Sequence, residues 1–149
     1  MANPGPAVSN STHPSQLSSQ QALRVLAVQK GVSVSALGDT PIQIVNTSLY
    51  LPTTIVIANA NNNGATQSVA SVALGIYTAP LGASGSGTAV LTTAALTGQT
   101  TPAYVTVSAS TDTNAALSAQ TLYVNQTTAT ATATVDIYIY GYDLSTGYF

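Results

Sequence analysis

From Leu23 onward the chain alternates short apolar runs with clusters of Gly, Pro, Asn and Asp. Successive side chains on a strand point to opposite faces, so this rhythm is that of antiparallel strands joined by turns. It predicts strands at Leu23–Val28, Val32–Leu37, Ile42–Asn46, Thr54–Ala58, Ser68–Thr78, Thr88–Leu91, Tyr104–Ser108, Leu122–Asn125 and Ala131–Tyr142. The breaks fall at Lys30-Gly31, Gly38-Asp39, Leu51-Pro52, Asn61-Asn62-Asn63-Gly64, the Pro80–Gly87 loop, Gly98–Pro102 and Thr111–Ala115. In Ser68–Thr78, Val72, Leu74 and Ile76 share one face, and Ser71, Ala73 and Gly75 the other. Near the end of the chain, Val135, Ile137 and Ile139 share a face expected to be core. Asp136, Tyr138, Tyr140 and Tyr142 line the opposite one.

Residues 1–20 carry no such period. They are polar, rich in Pro, Ser, Asn and Gln, and read as an arm, with one helical turn expected over Pro14–Ala22. Residues 21–149 read as a single domain. Nine strands without a long helix or a βαβ pattern predict an all-β, two-sheet antiparallel β-sandwich with an extended N-terminal arm. A jelly roll is expected ahead of an immunoglobulin-like sandwich, because no Cys or Trp is present to build an immunoglobulin core.

Composition supports strands and removes several functions. Charged residues are 4% of the chain, against about 25% in an ordinary soluble domain. The acids are Asp39, Asp112, Asp136 and Asp143, and the bases are Arg24 and Lys30. Phosphate binding needs clustered Lys and Arg, so no nucleic-acid partner is expected, and no membrane surface held by charge. The chain is nevertheless not of disordered type, since 45% of it is hydrophobic. Its polar part is mostly Thr, Ser, Asn and Gln, and branched Thr and Val suit a pleated surface. The opening MANPGPAVSNSTHPSQ lacks the basic and apolar regions of a secretory signal, and no apolar run reaches membrane-helix length. A cytosolic origin is therefore expected. So charge-poor a surface would be sticky on a free monomer, which suits a subunit locked into an assembly.

Catalytic chemistry finds little material. The one histidine, His13, lies in the polar arm before Pro14, away from any scaffold that would hold it as a base. Asp39 and Asp112 fall in turns, where the side chain bonds nearby backbone N–H groups, and no carboxylate pair is assigned a catalytic role. Asp112-Thr113-Asn114 has the spacing of the first ligands of a calcium loop but lacks the rest. With no Cys and one His, a zinc site is not expected. The Gly82–Gly87 loop is followed by a strand and lacks the helix a phosphate loop needs. Sequons at Asn10, Asn46 and Asn125 are chance matches in so Ser-, Thr- and Asn-rich a chain. Thr128, Thr130, Thr132 and Thr134 alternate with Ala129, Ala131 and Ala133, which reads as a threonine row on one strand. Ice binding would need such rows on many strands, so the expectation is an ordinary strand with a polar outer face.

The aromatic residues are the more informative set. Tyr50, Tyr104, Tyr123, Tyr138, Tyr140, Tyr142 and Tyr148 occur in a chain with one Phe and no Trp. Tyrosine is large, rather rigid and amphipathic, and is enriched at protein–protein contacts. Tyr138, Tyr140, Tyr142, Tyr148 and Phe149, together with Arg24, are the candidate interface residues. No catalytic, cofactor or metal residue is assigned.

Two stretches carry a resemblance. Ala73-Leu74-Gly75-Ile76-Tyr77-Thr78-Ala79-Pro80, with the Gly/Ser loop and Gly87-Thr88-Ala89-Val90 after it, resembles small virion proteins of tailed bacteriophages. So does Val135-Asp136-Ile137-Tyr138-Ile139-Tyr140-Gly141-Tyr142-Asp143-Leu144-Ser145. The likeness spans roughly residues 40–145. It is one of style and transfers no site residue. Such proteins are commonly head decoration (capsid cement) proteins. The resemblance implies a β-sandwich on the outer surface of the capsid, as a trimer or dimer, made in the host cytoplasm. It would bridge the major capsid protein lattice and brace it, with no cofactor, enzymatic activity or small-molecule substrate. A tail, collar or fibre module is the alternative. A surface adhesin or carbohydrate-binding module comes after it, since exposed Trp is absent. An enzyme is the reading the residues favour least.

Overall fold

The computed structural model describes residues 23–81, 87–96, 105–108, 115–129 and 132–145. They form nine strands: β1 Arg24–Ser33, β2 Gly38–Gln43, β3 Tyr50–Asn62, β4 Ala65–Thr66, β5 Ala73–Tyr77, β6 Ala89–Ala95, β7 Val105–Ser108, β8 Thr121–Thr128 and β9 Thr134–Asp143. No helix occurs among the described residues. One sheet has the order β1-β9-β3, with β4 and β7 both paired to β3. The other has the order β2-β8-β5-β6. Every pairing is antiparallel. With the two-residue β4 set aside, the pairs nest. The first strand joins the last, β2 joins β8, β3 joins β7, and β5 joins β6 at the centre.

The two sheets bury their inner faces against each other. Leu26 and Val32 of β1, Ile55 and Ile57 of β3, and Val135, Ile137 and Ile139 of β9 come from the first sheet. Ile42 of β2, Leu74 and Ile76 of β5, Val90 of β6, and Leu122 and Val124 of β8 come from the second. Cross-strand partners match in kind: Ile55 faces Ile139, Ile57 faces Ile137, and Ile76 faces Val124. Each fully buried aliphatic side chain stabilises the fold by about 1.5–3 kcal/mol relative to exposure. The expected faces are the observed ones. Val72, Leu74 and Ile76 are buried, as are Val135, Ile137 and Ile139.

Several expected boundaries are corrected, each for a physical reason. The runs Leu23–Val28 and Val32–Leu37 are not two strands. Arg24–Val28 and Val32-Ser33 belong to one strand, β1, which continues through Lys30-Gly31 as a bulge, while Val34–Leu37 lies beyond its end at Ser33. Gly31 takes φ +65°, which glycine adopts without a Cβ penalty. Its N–H donates to Asp136 Oδ1 at 2.8 Å. Leu51-Pro52 is no break either: β3 passes through it, and Pro52 sits beside a register shift, where the missing N–H costs no regular rung. Gly141 stands opposite Pro52 on β9. A Cβ there would strike the Leu51 carbonyl oxygen and lie 2.8 Å from Pro52 Cα, so only glycine allows this approach. Gly38-Asp39 opens β2 instead of closing a strand, and the strand expected at Ile42–Asn46 is displaced to Gly38–Gln43. Asn46 then turns the chain with φ +57°.

The expected strand Ser68–Thr78 is likewise shorter. Val72 N–H closes a turn onto the Val69 carbonyl at 2.9 Å, so β5 begins at Ala73. The last strand begins at Thr134 instead of Ala131 and ends at Asp143. Between β8 and β9 the chain crosses from one sheet to the other, with Thr132 at φ +39°. Thr128 and Thr134 therefore lie on strands of different sheets, and the expected threonine row on one strand does not form. The arm at 1–20, the turn at Pro14–Ala22, His13 and the Asp112 motif lie outside the described residues.

Candidate interaction surface

β9 runs down the middle of its sheet, with β1 on one side and β3 on the other. Its inward positions fill the core, so its outward positions line the centre of a face that no other described strand covers. The register sets rows across that face. Val28 and Val56 flank Tyr138, Val25 and Thr54 flank Tyr140, and Leu51 lies beside Tyr142. Val25 is 43% exposed, Val28 40% and Tyr142 36%, while Tyr138 and Tyr140 are half-buried among their neighbours. These rows contain no ionisable group except the tyrosine hydroxyls. They form an amphipathic plate of aromatic rings and branched aliphatics, the kind of surface enriched at protein contacts.

Charged groups sit at the two ends of the plate and are used structurally. At one end Asp136, buried, accepts from Gly31 N–H and from Asn59 Nδ2 at 3.1 Å, pinning the β1 bulge to β3. At the other end Asp143 is only 3% exposed. Its carboxylate accepts from Arg24 at 2.6 Å, from Thr47 Oγ1 at 2.6 Å, and from Ser145 through N–H at 2.9 Å and Oγ at 2.5 Å. Burial pushes its pKa up, but the hydrogen bonds from Ser145 and Thr47 and the Arg24 charge outweigh that, and the net pKa is lowered. Asp136 and Asp143 are seven residues apart on one strand, about 23 Å, and point to opposite faces. They cannot flank a single scissile bond, which needs carboxylates within about 5–9.5 Å.

Tyr50, Tyr77 and Tyr123 take part in packing within the domain. Tyr50 is fully buried, and its hydroxyl donates to the Ala119 carbonyl at 2.6 Å. Burial pushes its pKa up to about 12. Tyr77 and Tyr123 are cross-strand partners on the outer face of the second sheet, with Pro41 beside Tyr123. The Tyr77 ring covers Gly75, where a Cβ would lie 2.7 Å from its Cε2, and its hydroxyl bonds Thr93 Oγ1 at 2.8 Å. Asp39 lies in β2, not in a turn, and accepts from Asn125 Nδ2 at 2.9 Å and from Leu81 N–H at 3.3 Å.

Of the six candidate interface residues, the fold brings Tyr138, Tyr140 and Tyr142 onto one plate and sets Arg24 at its margin, half-exposed and paired to Asp143. Tyr148 and Phe149 lie outside the described residues. The sequence reading missed Val25, Val28 and Val56 as members of the plate. Their membership follows only from strand register. No protein-family model, curated protein or solved structure matches the chain. The surface must therefore be read from its own chemistry. Among the described residues no three acidic or imidazole groups gather to hold a metal ion.

Proposed function

We propose that this chain is a structural virion subunit, a decoration protein that docks on the outer surface of a phage head and braces the major capsid protein lattice. The observation that carries the reading is the uncharged plate of Tyr138, Tyr140, Tyr142, Val25 and Val28 on a domain with only 4% charged residues. Docking such a face desolvates almost no ions, so little electrostatic cost opposes burial. The nested pairing of eight principal strands supports a jelly roll over an immunoglobulin-like sandwich. Jelly rolls build many viral capsid domains, although they also build lectins and cupins, so the fold supports the role by analogy alone.

The mechanism is multivalent clamping by a subunit with no catalytic part. A weak contact repeated over a fixed lattice gains strength through effective concentration, and a dimer or trimer of the chain multiplies it again. In this reading residues 1–20 supply an arm that reaches a neighbouring subunit.

The test is to incubate tagged chain with phage heads that lack it and image them by cryo-electron microscopy. Regular density on the outer head surface, with raised resistance of the heads to heat or chelator, is the expected result. Density confined to the tail would replace this reading with a tail module. Absence of density on any particle would end it.

A further inference from the structure

We propose that Asn63 is a site of spontaneous deamidation, which makes the rim of a neutral cleft anionic; the inference is independent of the virion reading. The cleft, of about 170 Å³, lies at one end of the sandwich between Ser33, Ser35, the Asn61–Asn63 run, Thr132 and Thr134. It contains hydroxyl and amide groups and no charge.

Asn63-Gly64 is the only Asn-Gly pair in the chain. It forms the two-residue loop of the β3–β4 hairpin, between the partners Asn62 and Ala65, with φ +48° at Asn63 and +88° at Gly64. Both positive values are those of a tight hairpin turn. The ladder bonds of such a turn belong to the flanking pair, so the Gly64 N–H is not one of their donors. Asn63 is exposed, and space around Gly64 is open, with nothing within 4 Å of where a Cβ would stand.

The neighbouring amides are engaged. Asn59 donates to Asp136, Asn61 to the Asn59 carbonyl, and Asn62 to Thr132 Oγ1 at 3.2 Å. No hydrogen bond to the Asn63 side chain occurs among the described residues. The hairpin itself is short, because β4 is two residues long and the turn is closed by two rungs and the bond from Gln67 N–H to the Ala60 carbonyl at 3.2 Å.

The chemistry needs no partner but water and base. Base removes the Gly64 amide proton, and the nitrogen attacks Asn63 Cγ. The N–Cγ bond forms, the Cγ–Nδ2 bond breaks, and ammonia leaves with a proton from solvent. Water then adds to one carbonyl carbon of the cyclic imide and a C–N bond opens. Opening at Cγ gives aspartate, and opening at the backbone carbonyl gives isoaspartate. Aspartate tolerates the left-handed conformation, so the first product keeps the turn and adds one negative charge to the cleft. Isoaspartate puts an extra CH₂ in the main chain, so the Asn62–Ala65 register is lost, and with it the tie from Asn62 to the β8–β9 crossing.

The test is to age the full chain in mildly alkaline and mildly acidic buffer. Peptide mapping by mass spectrometry, enzymatic isoaspartate methylation and isoelectric focusing follow the products. Asn63 is expected to convert ahead of every other asparagine, faster in alkali, and to give both products and one acidic charge variant. Asn63→Gln should abolish that variant while keeping the strand signal in circular dichroism. Conversion first at another asparagine, an acidic variant that survives Asn63→Gln, or an intact Asn63 under conditions that convert it in the urea-unfolded chain would each overturn the proposal.

Discussion

Replacing Asp143 by Ala removes the acceptor that joins the start of β1, the β2–β3 connection and the end of β9. Three residues then lose their common partner: Arg24, Thr47 and Ser145. A hydrogen bond to a charged group is worth about 1.5–3 kcal/mol net, and breaking a fully buried ion pair costs about 3–5 kcal/mol. Here the penalty is smaller than the sum of the bonds. Arg24 is 37% exposed and can rehydrate, and Thr47 retains the Leu49 carbonyl at 2.9 Å. The expected loss is about 2–4 kcal/mol, a large share of the ~5–15 kcal/mol that stabilises a domain. At a urea m-value of about 2 kcal/mol/M, the midpoint should fall by about 1–2 M with m unchanged. The pH dependence gives a second readout. Because the native pKa of Asp143 is lowered, its stabilisation is complete above the ordinary value of 3.8 and disappears as pH falls through the lower native value. Asp143→Asn keeps the shape and removes the charge, so the stability difference between wild type and variant should shrink as pH drops through that window. An unchanged urea midpoint in the alanine variant, or a difference that does not narrow in acid, would refute the reasoning.

Gly141→Ala should destabilise by about 1–3 kcal/mol in urea unfolding, because the new Cβ meets the backbone of Leu51 and Pro52, which cannot rotate away. Tyr50→Phe leaves the Ala119 carbonyl without its donor and should cost about 1–2 kcal/mol. The same variant should lose the tyrosine ionisation near pH about 12 in an ultraviolet titration. Serine at Tyr138 or Tyr140 should lower affinity for phage heads by at least about tenfold in co-sedimentation, with the strand signal retained. Serine at the more exposed Tyr142 should change stability by no more than about 0.5 kcal/mol.

Much of the architecture was legible because period two is a strong signal. It fixed the inward faces of β5 and β9 residue by residue, and it placed Tyr138, Tyr140 and Tyr142 together. Glycine and proline were harder to read, since they mark bulges as readily as turns. Gly31 looked like a break because its partner, the Asp136 carboxylate, is 105 residues away. Pro52 looked like a break because the glycine that accommodates it lies on the opposite strand. Asp143 carried a usable signal, for it continues the alternation of Ile137 and Ile139 toward the core, but its partners Thr47 and Arg24 come from distant segments. The valines of the plate could not be assigned without register, because Val25, Val28 and Val56 look like any strand valines until their neighbours are known.

The nested order of the strands also governs how the chain can acquire its shape. Arg24 and Asp143, the ion pair that ties the start of β1 to the end of β9, are 119 residues apart, so β1 lacks its sheet partner among the described strands until β9 has left the ribosome. Long-range pairing of this kind is slow, on the order of milliseconds to seconds even for small all-β domains. Meanwhile β1 presents Val25, Leu26, Val28 and Val32 with only Arg24 and Lys30 to repel a second nascent chain. High expression should therefore select for conditions that keep newly made chains apart, and lowering synthesis rate should raise the yield of soluble protein more than strengthening the finished core would.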